Sequence, residues 1–150
     1  LLNKRVIIKA FLWYGLLASI TSAISYFFVN IQNGWPKVPL AGGDSSVYIK
    51  ATTMSLAAIV FSQVGGVFNC RTEKQSVFKV GLFSNKQINF GVVFEILLIT
   101  ALIYLPPLQA IFHTGAINFT DWLLLCIWPP IIIMIEECRK AWVRRKGSTL

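Results

Sequence analysis

Residues 51–71 read ATTMSLAAIVFSQVGGVFNCR. The stretch is about 20 residues long and uncharged until its last position, the length at which a helix crosses a hydrocarbon core. Within the apolar run, Thr52, Ser55, Ser62, Gly66 and Asn69 recur at steps of three, four or seven. That spacing collects small and polar groups on one helical face. Gln63 sits beside the seam, and Gly66 three residues on clears space next to its amide. In lipid such a face has to meet other helices, because a bare amide in hydrocarbon is costly and small residues admit close backbone approach. This span is expected to lie nearest to function.

The rest of the chain is built on the same pattern. Of 150 residues, 55% are hydrophobic and only 13% charged, which excludes an ordinary soluble domain and marks a polytopic membrane protein. Span one covers about 6–29, span two 51–70, span three 87–105 and span four 121–143. The expected fold is therefore an all-α membrane protein, a single membrane domain over 1–150 with four transmembrane helices in an up-down bundle. Span one carries a second small-residue seam, Gly15, Ser19 and Ser22. Turn formers fill Asn30 to Lys50, among them Asn33-Gly34, Trp35-Pro36 and Gly42-Gly43. Pro106-Pro107 ends span three, and Leu108 to Thr120 is a short connection. Pro129-Pro130 falls near the centre of span four, where two missing backbone donors should kink or unwind the helix.

The net charge of +8 does not point to nucleic acid, because the basic residues flank apolar runs and are not interleaved with polar surface. Twelve of them fall on one side of a four-span topology: Lys4, Arg5, Lys9, Arg71, Lys74, Lys79, Lys86, Arg139, Lys140, Arg144, Arg145 and Lys146. Lys37 and Lys50 are the two on the other. The positive-inside rule then places both termini in the cytoplasm, in an integral protein of the cell membrane. The chain opens at Leu1 without a cleavable leader pattern and reads as a segment of something longer. Cys70, Cys126 and Cys138 show no metal-ligand spacing and read as buried thiols acting as small hydrophobes.

Two residues stand out for chemistry. Glu95, the carboxylate well inside an apolar run, lies roughly 10 Å from the cytoplasmic end of span three at about 1.5 Å per residue. Gln63 lies roughly 12 Å from the same side by the same rise. A carboxylate and an amide at one depth suit a hard cation or a proton-linked site; the plainer alternative is a glutamate hydrogen-bonded within the bundle as structure. Gly91, four before Glu95, leaves room on its face. Glu136 and Glu137 read instead as a solvated or interfacial ion-pair cluster, with Glu136 to Lys140 a favourable i,i+4 pair. His113 has no partner ligands, and the sequon Asn118-Phe119-Thr120 lies too close to span four to carry weight. No Gly-rich phosphate loop, HExxH or GxSxG occurs, and neither Asp44 nor Asp121 precedes Lys-Thr-Gly, so no hydrolytic or phosphoryl-transfer site is expected in this chain.

In their order, several pieces resemble the last four membrane helices of P-type cation-transporting ATPases, the group of the calcium pumps and sodium/potassium pumps. LLNKRVIIKAFLWYG is similar to the family's entry into helix seven. The run from Gln63 through VFNCRTEKQSVFKVGLFSNKQINFG to Glu95 is similar to helix eight, the cytoplasmic loop and helix nine; ALIYLPPLQAIF and IEECRKAWVRRK resemble the closing helices. The resemblance implies roles for a few positions. Gln63 falls where sarcoplasmic-type calcium pumps carry a calcium-ligating glutamate and sodium pumps a glutamine. Gly66 falls where those pumps have Asn or Asp, so one ligand is absent. Glu95 falls where sodium pumps have a glutamate linked to their third sodium site. A glutamine in place of a carboxylate weakens a calcium site and favours fewer ions or a different ion.

The resemblance also implies partners. The phosphorylated aspartate, the nucleotide and actuator domains and the main ion helices would precede this region, with ATP and Mg2+ bound there and no cofactor in this chain. The leading expectation is the carboxy-terminal membrane segment of an ATP-driven cation pump, in contact with the lipid bilayer, the transported cation and the pump's preceding helices. The alternative is a free-standing four-helix membrane protein, such as a small channel subunit, whose seams serve assembly.

Overall fold

Ser45 begins the helix that the others pack on: its hydroxyl accepts a hydrogen bond from Tyr48 N at 3.3 Å, an N-cap that satisfies one of the first-turn donors. A computed structural model describes residues 8–40, 42–70, 76–81 and 83–146. Among them the chain is helical, without strands. A single π-helical turn, Lys9–Tyr14, leads into α1 (Gly15–Gln32), followed by α2 (Ser46–Asn69), the short α3 (Val77–Val80), α4 (Lys86–Tyr104), α5 (Pro106–Phe112) and α6 (Phe119–Lys146). Among the described residues four helices are long and apolar enough to cross a membrane: Phe11–Gln32, Ser46–Asn69, Lys86–Tyr104 and Phe119–Arg145. Lys4, Arg5, Arg71 and Lys74, which enter the charge count, lie outside the described residues.

Helix α2 is central because its neighbours cover it on several sides. Within its most apolar window 61% of residues are buried, against 17, 11 and 33% for the other three in chain order. Ala51, Met54, Ala57, Ala58 and Phe61 form the middle of the core, with Val29 from α1, Ile99 and Ile103 from α4, and Leu125 and Trp128 from α6. The indole of Trp128 donates to Ser25 Oγ at 3.0 Å, so its one polar atom is satisfied inside. The two small-residue seams meet where Ser22 and Ser55 share a 2.5 Å hydrogen bond. Closer still, a Cβ on Gly65 would stand 2.8 Å from the Pro129 carbonyl oxygen, so only glycine lets α2 and α6 approach this far. By contrast α4 turns Phe90, Val93, Phe94 and Leu97 outward, an apolar face suited to lipid.

Several expectations need correction. Span one continues as helix to Gln32, and α2 starts at Ser46, so the loop between them is shorter than the turn formers suggest. Pro106-Pro107 does end α4, but the same prolines open a further helix, α5, since the first turn of a helix has no need of their missing N–H groups. His113 closes it in the left-handed region at φ 50°. Helix α6 runs unbroken through Pro129 and Pro130, so the prolines do not unwind it. Cys70, Cys126 and Cys138 are exposed and not buried. Cys126, in the middle of α6, faces outward with the other apolar side chains, because a membrane helix presents its apolar groups to lipid as readily as to a core.

Candidate functional site

Helix α2 positions Gln63 one step off its buried face, between buried Ser62 and Val64. Gln63 therefore points out of the core, toward the space that α1 and α4 leave beside it. Helix α4 is set by Asn85, whose side-chain oxygen accepts from Gln87 N at 3.0 Å and Ile88 N at 3.4 Å. It packs through Ile88 and Val92 on a cluster of Val64, Phe68 and Val77, and this register turns half-buried Glu95 toward the same space. The result is one cavity of about 410 Å³ lined by both Gln63 and Glu95. Tyr14, Gly15 and Ala18 line it from the α1 side, Ser62, Gly66 and Cys70 from α2, and Ile132 from α6.

The two residues singled out by depth are thus brought together. The seam reading holds as well: Gly66 lies against the ring of Tyr14, so that a Cβ on this glycine would stand 3.4 Å from Tyr14 Cδ1. Gly91 faces open space and leaves Glu95 unobstructed on its own helix. What the cavity offers is one carboxylate, one neutral amide oxygen and hydroxyl groups. No three His, Cys, Asp or Glu side chains converge among the described residues.

Glu136 and Glu137 form an ion-pair cluster, but a buried one. Glu136 is fully inaccessible and is gripped by Arg139, with Nε donating to Oε2 and Nη2 to Oε1, each at 2.8 Å. Trp13 Nε1 donates to the same Oε2 at 3.0 Å from the π-helical turn. Lys140, expected as the partner of Glu136, is itself fully buried and reaches Glu137 Oε1 at 3.4 Å and the Asn69 carbonyl at 3.2 Å. Glu137 Oε1 also accepts from Val77 N at 3.0 Å. Charges this deep persist only when paired and hydrogen-bonded, and here each carboxylate has both. The cluster ties the start of span one, the end of α2 and the α3 turn to α6. Helical spacing favoured the i,i+4 pair Glu136–Lys140; the structure pairs Glu136 with Arg139 and Glu137 with Lys140, both at i,i+3.

A second polar set at the opposite ends of the helices escaped the sequence reading. Lys50 pairs with fully buried Asp121 at 2.7 Å, and Asn118 N donates to the same carboxylate oxygen at 2.8 Å. Thr53 Oγ1 accepts from Gly115 N at 2.9 Å, and Tyr104 OH donates to the Ile117 carbonyl at 3.1 Å. The 113–118 connection is thereby pinned to α2, α4 and α6. The only advance signal was the placement of Lys50 and Asp121 at two helix starts on one side.

Comparison with known proteins bears on what the cavity belongs to. The family model for the cation transporting ATPase C-terminus matches residues 1–142. Calcium-transporting ATPase 1 of Schizosaccharomyces pombe is 33% identical over 146 residues, 97% of this chain and 14% of that protein. Calcium-transporting ATPase 1 of Bacillus cereus is 32% identical over 117 residues, 76% of this chain and 13% of that protein. The mouse calcium-transporting ATPase type 2C member 2 is 32% identical over 108 residues, 72% and 11% respectively. The chain spans about a seventh or less of the length of these relatives. A match of this extent, on four helices able to cross a membrane, makes this an integral membrane protein that belongs to the cation-transporting ATPase family, as its carboxy-terminal region.

Proposed function

We propose that this chain is the carboxy-terminal membrane segment of an ATP-driven pump for calcium or another cation, and that Gln63 and Glu95 contribute to its cation site. The observation that supports the site most directly is the single cavity that both residues line. Nucleotide, Mg2+ and the phosphorylated aspartate belong to other parts of the pump, and the remaining cation ligands come from its other membrane helices. The orientation follows the charge count: both ends and the 71–86 loop in the cytoplasm, the 33–45 and 113–118 connections outside, helices alternating up and down in the cell membrane. The names of the relatives, calcium-transporting ATPases all three, favour calcium as the cargo.

The test is cation-dependent ATPase titration of the intact pump carrying changes at Gln63. Gln63→Glu adds a carboxylate oxygen where the site has a neutral amide, so the half-saturating calcium concentration should fall several-fold. Gln63→Ala removes the oxygen and should raise it several-fold, with a loss of stability of no more than about 1 kcal/mol for an outward-facing side chain. Unchanged cation dependence in both variants, together with a clear drop in the melting temperature of Gln63→Ala, would show a packing role and remove Gln63 from the site.

A further inference from the structure

The first helix carries a π-helical turn near the start of its described residues. Residues Lys9–Tyr14 make one π-helical turn, and α1 continues regularly from Gly15. An isolated π turn inside a helix costs stability and persists where something outside the helix holds it. Two adjacent side chains of this turn are held by two different helices. Trp13 Nε1 donates to Glu136 Oε2 on α6 at 3.0 Å. Tyr14 lays its ring on Gly66 of α2, at the contact distance that a Cβ there would close to 3.4 Å, and its hydroxyl is buried near Cys70 and Glu136. Both contacts, to two different helices, are made by neighbouring residues at the end of the π-helical turn.

Glu136 is the fixed point of this arrangement. It is fully buried, and Arg139 of its own helix clamps both its oxygens at 2.8 Å. Tyr14 is a wall of the cavity that holds Gln63 and Glu95, at the end marked by Cys70. We propose that Glu136 is a positioning residue for that cavity: it anchors Trp13, the anchored indole keeps the π turn, and the turn seats Tyr14 on Gly66 beside Gln63. The functional weight of this device rests on the cation-site reading above, while its geometry does not. With the indole released, the turn relaxes toward α-helix, Tyr14 leaves Gly66, and the cavity opens at the Cys70 end.

Accessibility at position 63 reads this directly. In the intact pump in membranes, Gln63→Cys is treated with a small water-soluble thiol reagent, and the modification rate at position 63 is followed by peptide mass spectrometry. Adding Trp13→Phe, which keeps a ring and removes the donor, should raise that rate at least threefold. Adding Glu136→Gln should do the same. Ala116→Cys, exposed on the 113–118 connection at the other end of the helices, is the internal control and should keep its rate. An unchanged rate at position 63 overturns the proposal, as does a parallel rise at position 116, which would show general loosening of the bundle. If Glu136→Gln does not accumulate, Trp13→Phe decides alone. The cation reading is judged separately by the titration of Gln63→Ala. A labelling response with unchanged cation dependence keeps the positioning role and removes the cation site; a shifted cation dependence with no labelling response does the reverse.

Discussion

Gly65 is the residue at which sequence and packing meet most tightly. In the run FSQVGGVFN the seam spacing singles out Gly66 and passes over Gly65. In the bundle the two have different tasks. Gly66 receives a tyrosine ring at ordinary contact distance, whereas a Cβ on Gly65 would lie 2.8 Å from the Pro129 carbonyl and 2.9 Å from Ile132 Cβ. One obstacle is backbone, which cannot rotate away. Gly65→Ala should therefore destabilise the bundle by about 1–3 kcal/mol through overpacking, while Gly66→Ala should cost less because the Tyr14 ring can shift by tenths of an ångström. Thermal melting of the two variants in detergent checks this; equal melting temperatures would mean that α2 and α6 separate at small cost. The sequence showed that small residues cluster here, but which of two glycines faces a helix backbone depends on where α6 lies.

At the scale of elements, existence was legible and ties were not. Apolar length announced the four long helices, and the proline pair after α4 marked its end. The short α5 stayed hidden because Pro106-Pro107 signals a stop and a start equally well. The polar ties at the Lys50 end were also hidden, since threonine and tyrosine hydroxyls carry no periodicity. Thr53 shows their weight: it is buried, donates to the Ile49 carbonyl at 2.7 Å and accepts from Gly115 N at 2.9 Å. Thr53→Val keeps the shape and leaves the Gly115 N–H without its acceptor, which should cost about 1–3 kcal/mol. Thr53→Ser retains the hydroxyl and should lose much less. Unfolding of the two variants in denaturing detergent separates these outcomes, and a Val variant as stable as the Ser one would show that the Gly115 hydrogen bond carries no weight. Of the candidate site, Gln63 and Glu95 were legible because polar groups inside apolar runs are conspicuous. Trp13 and Tyr14 were not, because an indole and a phenol near the start of a membrane helix look like interfacial aromatics.

For the whole molecule, the proposed arrangement across the membrane rests on charge, and exposed loop residues offer places for probes. The 71–86 loop carries Arg71, Lys74, Lys79 and Lys86, while the loop before α2 carries Lys37 with Asp44. Basic residues near the ends of membrane spans are retained on the cytoplasmic side, so these two loops should lie on opposite sides. Gly42 and Lys79 are both exposed, and Gly42 has no side chain within 4 Å of its would-be Cβ, so a cysteine at either place leaves the packing intact. In a background with Cys70, Cys126 and Cys138 changed to Ala, Gly42→Cys should react with a membrane-impermeant thiol reagent applied to intact cells. Lys79→Cys should react only after permeabilisation. Labelling of both from the same side would break the alternation of the four helices. It would also undo the depth argument for the cavity, since Gln63 and Glu95 share a level only if α2 descends toward the face from which α4 returns. Opposite labelling fixes the Cys70 end of the cavity, which Tyr14 also lines, as the cytoplasmic one.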